Sequence, residues 1–270
     1  MSQIQVTKIA DSINPLDQRL TTFHCVIPKW LLAQVNTHRD LSRNAGSSRA
    51  IPLAKMREKA TYTPEKWLKN ERGMQASEVI KDQERISSYW NTSLVQSIGN
   101  HQLMELNGVS KQQANRLLEP FIMIDVLISA TRWDNFLNLR IHGDAQDEMR
   151  ELAEGIGRSL LTTKPEGLDW MFWHAPYIEK YGIDYFDKLS LDCSAARCAR
   201  ISIKPFDENV VNGSKDIDLA NRLLDDGHLS PFEHVAVAIP GTSANYDGWV
   251  SLRKFYELPV KPDWKERINK

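Results

Sequence analysis

The segment "IDVLISATRWDNFLNLRI" (residues 124–141) constrains the fold more than any other. Its opening "IDVLISA" is an apolar run of strand length, bounded by polar residues. Thr131 with Asp134 then forms a capping box that opens a helix over "RWDNFLNLRI". A buried strand feeding straight into a helix requires a sheet with helices folded back on it. The rest of the chain adds to this pattern without a regular alternation. "RLTTFHCVI" (19–27) reads as a strand entering Pro28, and "KWLLAQVNTHR" (29–39) as a short helix with an apolar face. Thr63-Pro64-Glu65 has the composition of a helix start. The polar segment 78–99 reads as helical, and Ser110 with Gln113 caps a helix that Pro120 ends. Gly143 breaks the "NFLNLR" helix. Asp144 with Asp147 starts the next, where Met149, Leu152, Ala153, Ile156 and Leu160 keep helical spacing. "DLANRLLDDG" (218–227) predicts a helix ending on glycine, and "FEHVAVAI" (232–239) a strand. The fold class is therefore α+β, and the absence of repeats or linkers predicts a single domain over residues 1–270.

Composition removes several function classes. A net charge of −1 argues against a nucleic-acid coat. Three unevenly spaced cysteines (Cys25, Cys193, Cys198) form neither a disulfide framework nor a zinc pattern, and suit a reducing compartment. The N-terminus lacks an apolar signal core and no apolar run is long enough to span a bilayer, so the expectation is a cytoplasmic protein without a membrane partner. No P-loop, G-x-G-x-x-G turn or G-x-S-x-G elbow occurs. His228 and His234, six residues apart on a loop-to-strand junction, make no standard ligand set, so no metal is expected.

Three clusters remain. "THRDLSRNAGSSR" (37–49) gathers Arg39, Arg43, Arg49, three serines, Asn44 and His38 around Gly46. Arginine forks, serine hydroxyls and glycine-freed backbone N–H groups make an anion nest, although the same composition suits a solvated loop. "TRWDNFLNLR" offers asparagine amides on a helix, which serve either a heterocycle edge or a polar helix face. "GHLSPFEH" (227–234) gathers His228, Ser230, Glu233 and His234 around Pro231, or is simply a polar turn anchored by Phe232.

Together these motifs resemble the flavin-dependent thymidylate synthases. That family carries a signature of the type R-H-R-x-x-S-x-N-E-x-S-x-R-Y, and here His38, Arg39, Ser42, Asn44, Ser47 and Arg49 stand in register. "NFLNLR" is present verbatim at 135–140, with Gln146 in a matching "AQ". The family's GHETPFEH is similar to "GHLSPFEH", its AARVS to "CARIS" (198–202), and its nucleotide-binding helix to "QQANRLLEP" (112–120) at Arg116. The order differs: the signature comes first and the "CARIS" and "SPFEH" elements last, so the chain looks circularly permuted. Permutation is tolerated where old termini lie close together and the new break is exposed.

The resemblance implies an antiparallel sheet with flanking helices, and a one-carbon transfer from 5,10-methylenetetrahydrofolate to C5 of dUMP. FAD is the implied cofactor, NADPH its reductant, and a homotetramer with shared active sites the implied assembly. It implies Arg140 as the catalytic group facing the pyrimidine. It implies Gln34, Ser47, Ser48, Arg49 and Arg116 for the nucleotide, and His38, Arg39, Asn135, Ser202, His228, Ser230 and Glu233 for FAD. No cysteine nucleophile is needed. Three signature positions depart: the first arginine is Thr37, the glutamate Ala45 and the tyrosine Ala50. Losing a charged hydrogen bond costs about 1.5–3 kcal/mol, so a replacement cation is expected, with Arg253 or Lys254 as candidates. The departures leave open a 5-hydroxymethyl product or a dCMP substrate. A binder of nucleotides or single-stranded nucleic acid is the alternative of another class, which eight tryptophans would permit.

Overall fold

Strands β1 (Gln5–Ile13) and β2 (Arg19–Pro28) form an antiparallel hairpin. Asn14 makes its turn: the side-chain oxygen accepts from Leu16 N at 3.0 Å and Gln18 N at 3.1 Å, mimicking a backbone turn. With β3 (Ser42–Ala45), β4 (Met123–Ala130) and the short β5 (Glu166–Gly167), the hairpin builds a sheet ordered β3-β4-β2-β1-β5. All its pairings are antiparallel except β1 with β5. A second antiparallel sheet has the order β6 (Trp173–His174), β7 (Ala236–Ser243), β8 (Tyr246–Ser251). The computed structural model describes residues 3–72, 76–178, 188–201 and 213–257.

Alternation along β2 and β4 assigns the two faces of the first sheet. Phe23, Cys25 and Ile27 with Ile124, Val126 and Ile128 face one core, shared with Met149, Leu152, Ala153 and Ile156. Leu20 faces the other way, onto Ala236, Ala238, Tyr246 and Trp249 of the second sheet. Leu127 packs on Cys198 and Ile201. The first sheet is thus covered on both sides, which explains why "IDVLISA" is apolar nearly throughout.

The helices fill the layers around these sheets. α1 (Leu32–Val35) and α2 (Leu53–Glu58) are short connectors on either side of β3. α3 (Gln83–Leu106) is a long arm capped by Asp82, whose side chain accepts from Arg85 N. α4 (Lys111–Ala114) and α5 (Asp134–Arg140) flank β4. α6 (Asp147–Thr162) buries the predicted apolar stripe, with Met149, Leu152, Ala153 and Ile156 fully inside. Gly155, within the "EGIG" of this helix, sets its approach: a Cβ there would lie 2.9 Å from Val6 Cγ2. α7 (Lys188–Arg200), α8 (Gly213–Asp225) and α9 (Leu252–Tyr256) enclose a separate core with Trp173, Phe232 and Val235. The α+β expectation holds, with sheets and flanking helices.

Several local expectations are corrected. No helix follows Thr63-Pro64-Glu65. Lys69 N donates to Glu78 O (2.7 Å) and Ile80 N to Trp67 O (2.9 Å), and this bridge takes the place of helical bonds. The helix over 29–39 shrinks to a 3-10 turn and α1, because the Thr37 hydroxyl bonds back to Gln34 O and closes the end. Past Ala114 the chain tightens to a 3-10 turn (Asn115–Phe121), where Pro120 lacks an N–H. α5 starts at Asp134 rather than Thr131: the Thr131 hydroxyl accepts from Asp247 N instead of capping. In "SPFEH", Ser230–Glu233 is a 3-10 turn, and the strand begins only at Ala236.

Candidate active site

The turn from α1 into β3 brings His38 beneath Arg140. His38 is 7% exposed, with its ring edge-on to Phe136 at 4.9 Å between centroids. Arg43 Nη1 donates to His38 O at 2.5 Å, which fixes the turn. Arg140 Nε donates to His38 Nε2 at 2.8 Å. Only an unprotonated nitrogen accepts that bond. Burial, then the positive charges of Arg140 and Arg43, hold the His38 imidazole below the usual histidine range and keep it so. Arg140 is therefore gripped by one edge, while its two terminal amino groups make no hydrogen bond among the described residues. Asn135 and Arg39 are exposed, and Arg39 forms no ion pair among the described residues.

β3 also receives the segments from the far end of the chain. Asn44 Nδ2 donates to Cys198 O at 3.0 Å, and Ser230 Oγ donates to Asn44 Oδ1 at 3.4 Å. The signature, "CARIS" and "SPFEH" thus meet at one strand, although Asn44 and Ser230 are far apart in sequence. Glu233 accepts from Arg253 Nη1, and its backbone oxygen accepts from Tyr246 OH at 2.9 Å. Arg253 Nε also bonds Glu257 at 2.6 Å, and Lys254 Nζ bonds the same carboxylate at 2.5 Å. Ser202 lies outside the described residues.

Past β3 the signature loop splits. Ser47 and Arg49 line a cleft of about 460 Å3 with Ser110, Lys111, Gln112 and His228. Its lining carries three basic side chains and no carboxylate. Ser48 turns inward, 2% exposed, and its hydroxyl donates to Glu119 Oε1 at 2.5 Å. The same Glu119 oxygen accepts from Arg116 Nη1 at 2.8 Å, and Arg116 lines a different groove, beside Lys29, Trp30 and Asn36. Gln34 Nε2 donates to Gln146 Oε1 at 2.5 Å, joining two residues singled out from the sequence.

A buried network holds that loop. Asn115 Nδ2 donates to Ser48 O at 2.7 Å and to Ile51 O at 2.9 Å. Asn115 Oδ1 is bonded to His101 Nε2 at 2.9 Å, and His101 Nδ1 to Arg57 Nη1 at 3.0 Å. Arginine only donates, so Nδ1 accepts and Nε2 carries the hydrogen. Arg57 itself is anchored on Glu105 at 2.5 Å. Asn115 and His101 are both fully buried. Sequence reasoning did not single them out, nor Lys111, since none lies at a signature position.

A second polar row crosses between the sheets. Ser12 Oγ bonds His174 Nδ1 (2.9 Å), His174 Nε2 bonds Thr22 Oγ1 (2.8 Å), and Thr22 bonds Ser129 Oγ (2.6 Å). Ser129 bonds His234 Nδ1 (2.7 Å). His234 Nε2 is buried with no partner among the described residues. Burial pushes both imidazoles down to about 3. The cysteines offer no nucleophile: all three are buried, and burial raises the Cys25 and Cys198 thiols well above the usual range.

The family model described as Thy1, thymidylate synthase complementing protein, matches residues 11–166. The chain belongs to this family, the flavin-dependent thymidylate synthases. Two solved structures share its fold. A UMP/dUMP methylase, PolB, from Streptomyces cacaoi bound with 5-Br UMP has a TM-score of 0.52 at 16% identity, covering 59% of this chain and 89% of that chain. The same enzyme bound with 5-Br dUMP has a TM-score of 0.51 at 16% identity, covering 59% and 90%. No curated protein matches the chain significantly. In this family member the matched segment carries the His38–Arg140 pair and the Ser47–Arg49 loop, and "CARIS" and "SPFEH" lie beyond its end. No helix among the described residues is long and apolar enough to cross a membrane.

Proposed function

We propose that this chain transfers a one-carbon unit from methylenetetrahydrofolate to C5 of dUMP, giving dTMP, with FAD as cofactor and NADPH as reductant. The observation that carries the reading is Arg140, held through Nε by a neutral His38 and with its other two nitrogens unbonded among the described residues. A guanidinium so placed stabilises the negative charge that a pyrimidine oxygen gains as C5 becomes nucleophilic. His38 then acts by orienting Arg140. Ser47, Arg49 and Arg116 bind the nucleotide, with Gln34 and Ser48 supporting their loops, and a neighbouring subunit shares the site. Arg253 acts through Glu233.

The residues present fit a flavin dinucleotide. Arg39, without an ion pair among the described residues, the exposed Asn135, and Ser230 and Glu233 on one turn against β3 would supply the polar groups together with His228; Ser202, which the resemblance adds, lies outside the described residues. When bound, the reduced flavin supplies the hydride. The fold neighbours are described as acting on UMP and dUMP, which supports a uracil nucleotide. The end of the family match at residue 166, before "CARIS" and "SPFEH", supports a circularly permuted order within one domain. A homotetramer fits the apolar stripe on α3, where Val95, Leu103 and Leu106 are 68%, 59% and 81% exposed.

A second reading is favoured by one observation. Thr37 replaces the signature arginine and spends its hydroxyl on Gln34 O, so the nucleotide pocket has changed. A changed pocket suits a hydroxymethylated product, or dCMP in place of dUMP. The test is to incubate the protein with methylenetetrahydrofolate and each nucleotide, with and without NADPH, and weigh the product. The expected result is a yellow protein that forms dTMP only with NADPH. A hydroxymethyl nucleotide formed without NADPH would overturn the synthase reading, and a colourless protein that cannot be reconstituted with FAD would overturn both.

A further inference from the structure

A cation that the signature does not include lines the cleft beside Ser47. Arg253 and Lys254, the cations nearest the C-terminal turn, are already neutralised by Glu233 and Glu257. Lys111 is not. It opens α4, lines the cleft with Ser47, Arg49, Gln112 and His228, and its side chain makes no ion pair or hydrogen bond among the described residues. Arg49 is likewise without an ion pair among the described residues and exposed. No carboxylate lines the cleft, so its two permanent cations share it with no counter-charge in the lining. Such an arrangement is relieved by an anion, and a phosphoryl group matches it: arginine binds two oxygens at once, lysine supplies a point charge, and Ser47 donates a hydroxyl.

We propose that Lys111 and Arg49 together bind the phosphoryl group of the nucleotide substrate, Lys111 supplying the positive charge that Thr37 lacks. The inference rests on the nucleotide reading above. A phosphate of the flavin dinucleotide has the same chemistry, so the experiment separates the two sources. The full-length protein, Lys111→Met and Lys111→Arg are titrated with dUMP, with deoxyuridine and with inorganic phosphate, and flavin occupancy is read by absorbance. Lys111→Met is expected to weaken dUMP roughly ten- to a hundred-fold and to abolish competition by phosphate. Deoxyuridine binding and flavin occupancy stay as in wild type, and Lys111→Arg stays within about threefold of wild type for dUMP. Unchanged dUMP affinity in Lys111→Met, or an equal loss for deoxyuridine, overturns the proposal. So does lost flavin occupancy with dUMP affinity intact, which assigns the cleft to the dinucleotide. If wild type binds phosphate in a Lys111-dependent way but neither dUMP nor deoxyuridine, the cleft stands and the proposed substrate falls.

Discussion

Arg140 and His38 share one hydrogen bond, and its direction decides how the pair responds to acid. His38 must accept, so protonating it breaks the bond and sets two like charges together. Burial and the neighbouring arginines hold its pKa below the usual histidine value of about 6.5. The acidic limb of kcat/KM is therefore expected below that value, with activity full above it and lost as pH falls through the depressed pKa. In His38→Gln, which keeps an acceptor without a titrating ring, turnover persists at a reduced level and the limb disappears from the pH profile. An unchanged limb would assign the titration elsewhere. This pair was half legible in the sequence: His38 and Arg140 stood in motifs, but their bond spans about a hundred residues and no spacing rule announces it. Asn115 was not legible at all. Its importance comes from two carbonyls, Ser48 O and Ile51 O, that only the folded chain brings to it.

At the scale of elements, periodicity served well where one face meets one core. The stripe of α6 was readable because its five named positions obey a single 3.6-residue repeat against β1 and β2. Short helices were misjudged where a side chain or a proline closes the last turn, as at Thr37 and Pro120. The strand "FEHVAVAI" was begun at Phe232, four residues early, because Phe232 is apolar for reasons of tertiary packing, in the core it shares with α7 and α8. Gly155 shows the same tension between local and global terms. Alanine is the better helix former by about 1 kcal/mol, but here its methyl would press on Val6 Cγ2. Gly155→Ala is therefore expected to lower stability by about 1–3 kcal/mol in chemical denaturation, the range for overpacking. Val6→Ala in the same background should recover part of that loss. A stabilised single variant would show that α6 moves away freely.

On the scale of the whole molecule, two sheets are joined through neutral histidines, and this sets the response to pH. His174 and His234 sit at about 3, against about 6.5 in an unfolded chain. The unfolded state takes up the protons first, so their contribution to stability is intact above about 6.5 and declines as pH falls toward 3. The slope is at most about 1.4 kcal/mol per pH unit for each histidine. Melting temperature is expected to drop steeply between neutral pH and 5, and His234→Gln should flatten that drop even if its neutral-pH value is lower. Equal slopes in the two proteins would refute the assignment to His234.

The row from Ser12 to His234 also has a direction. Each hydroxyl and each neutral imidazole brings one hydrogen, and the row holds one more such group than it has bonds. In an unbroken row the spare hydrogen sits on the hydroxyl of Ser12, Thr22 or Ser129, each of which can accept two bonds, or on His234 Nε2, and moving it from one end to the other reverses every bond between them. The interior of the protein therefore has four unbroken arrangements of hydrogens over one arrangement of heavy atoms. An acceptor placed at His234 Nε2 draws the spare hydrogen there and makes every bond run from Ser12 toward His234.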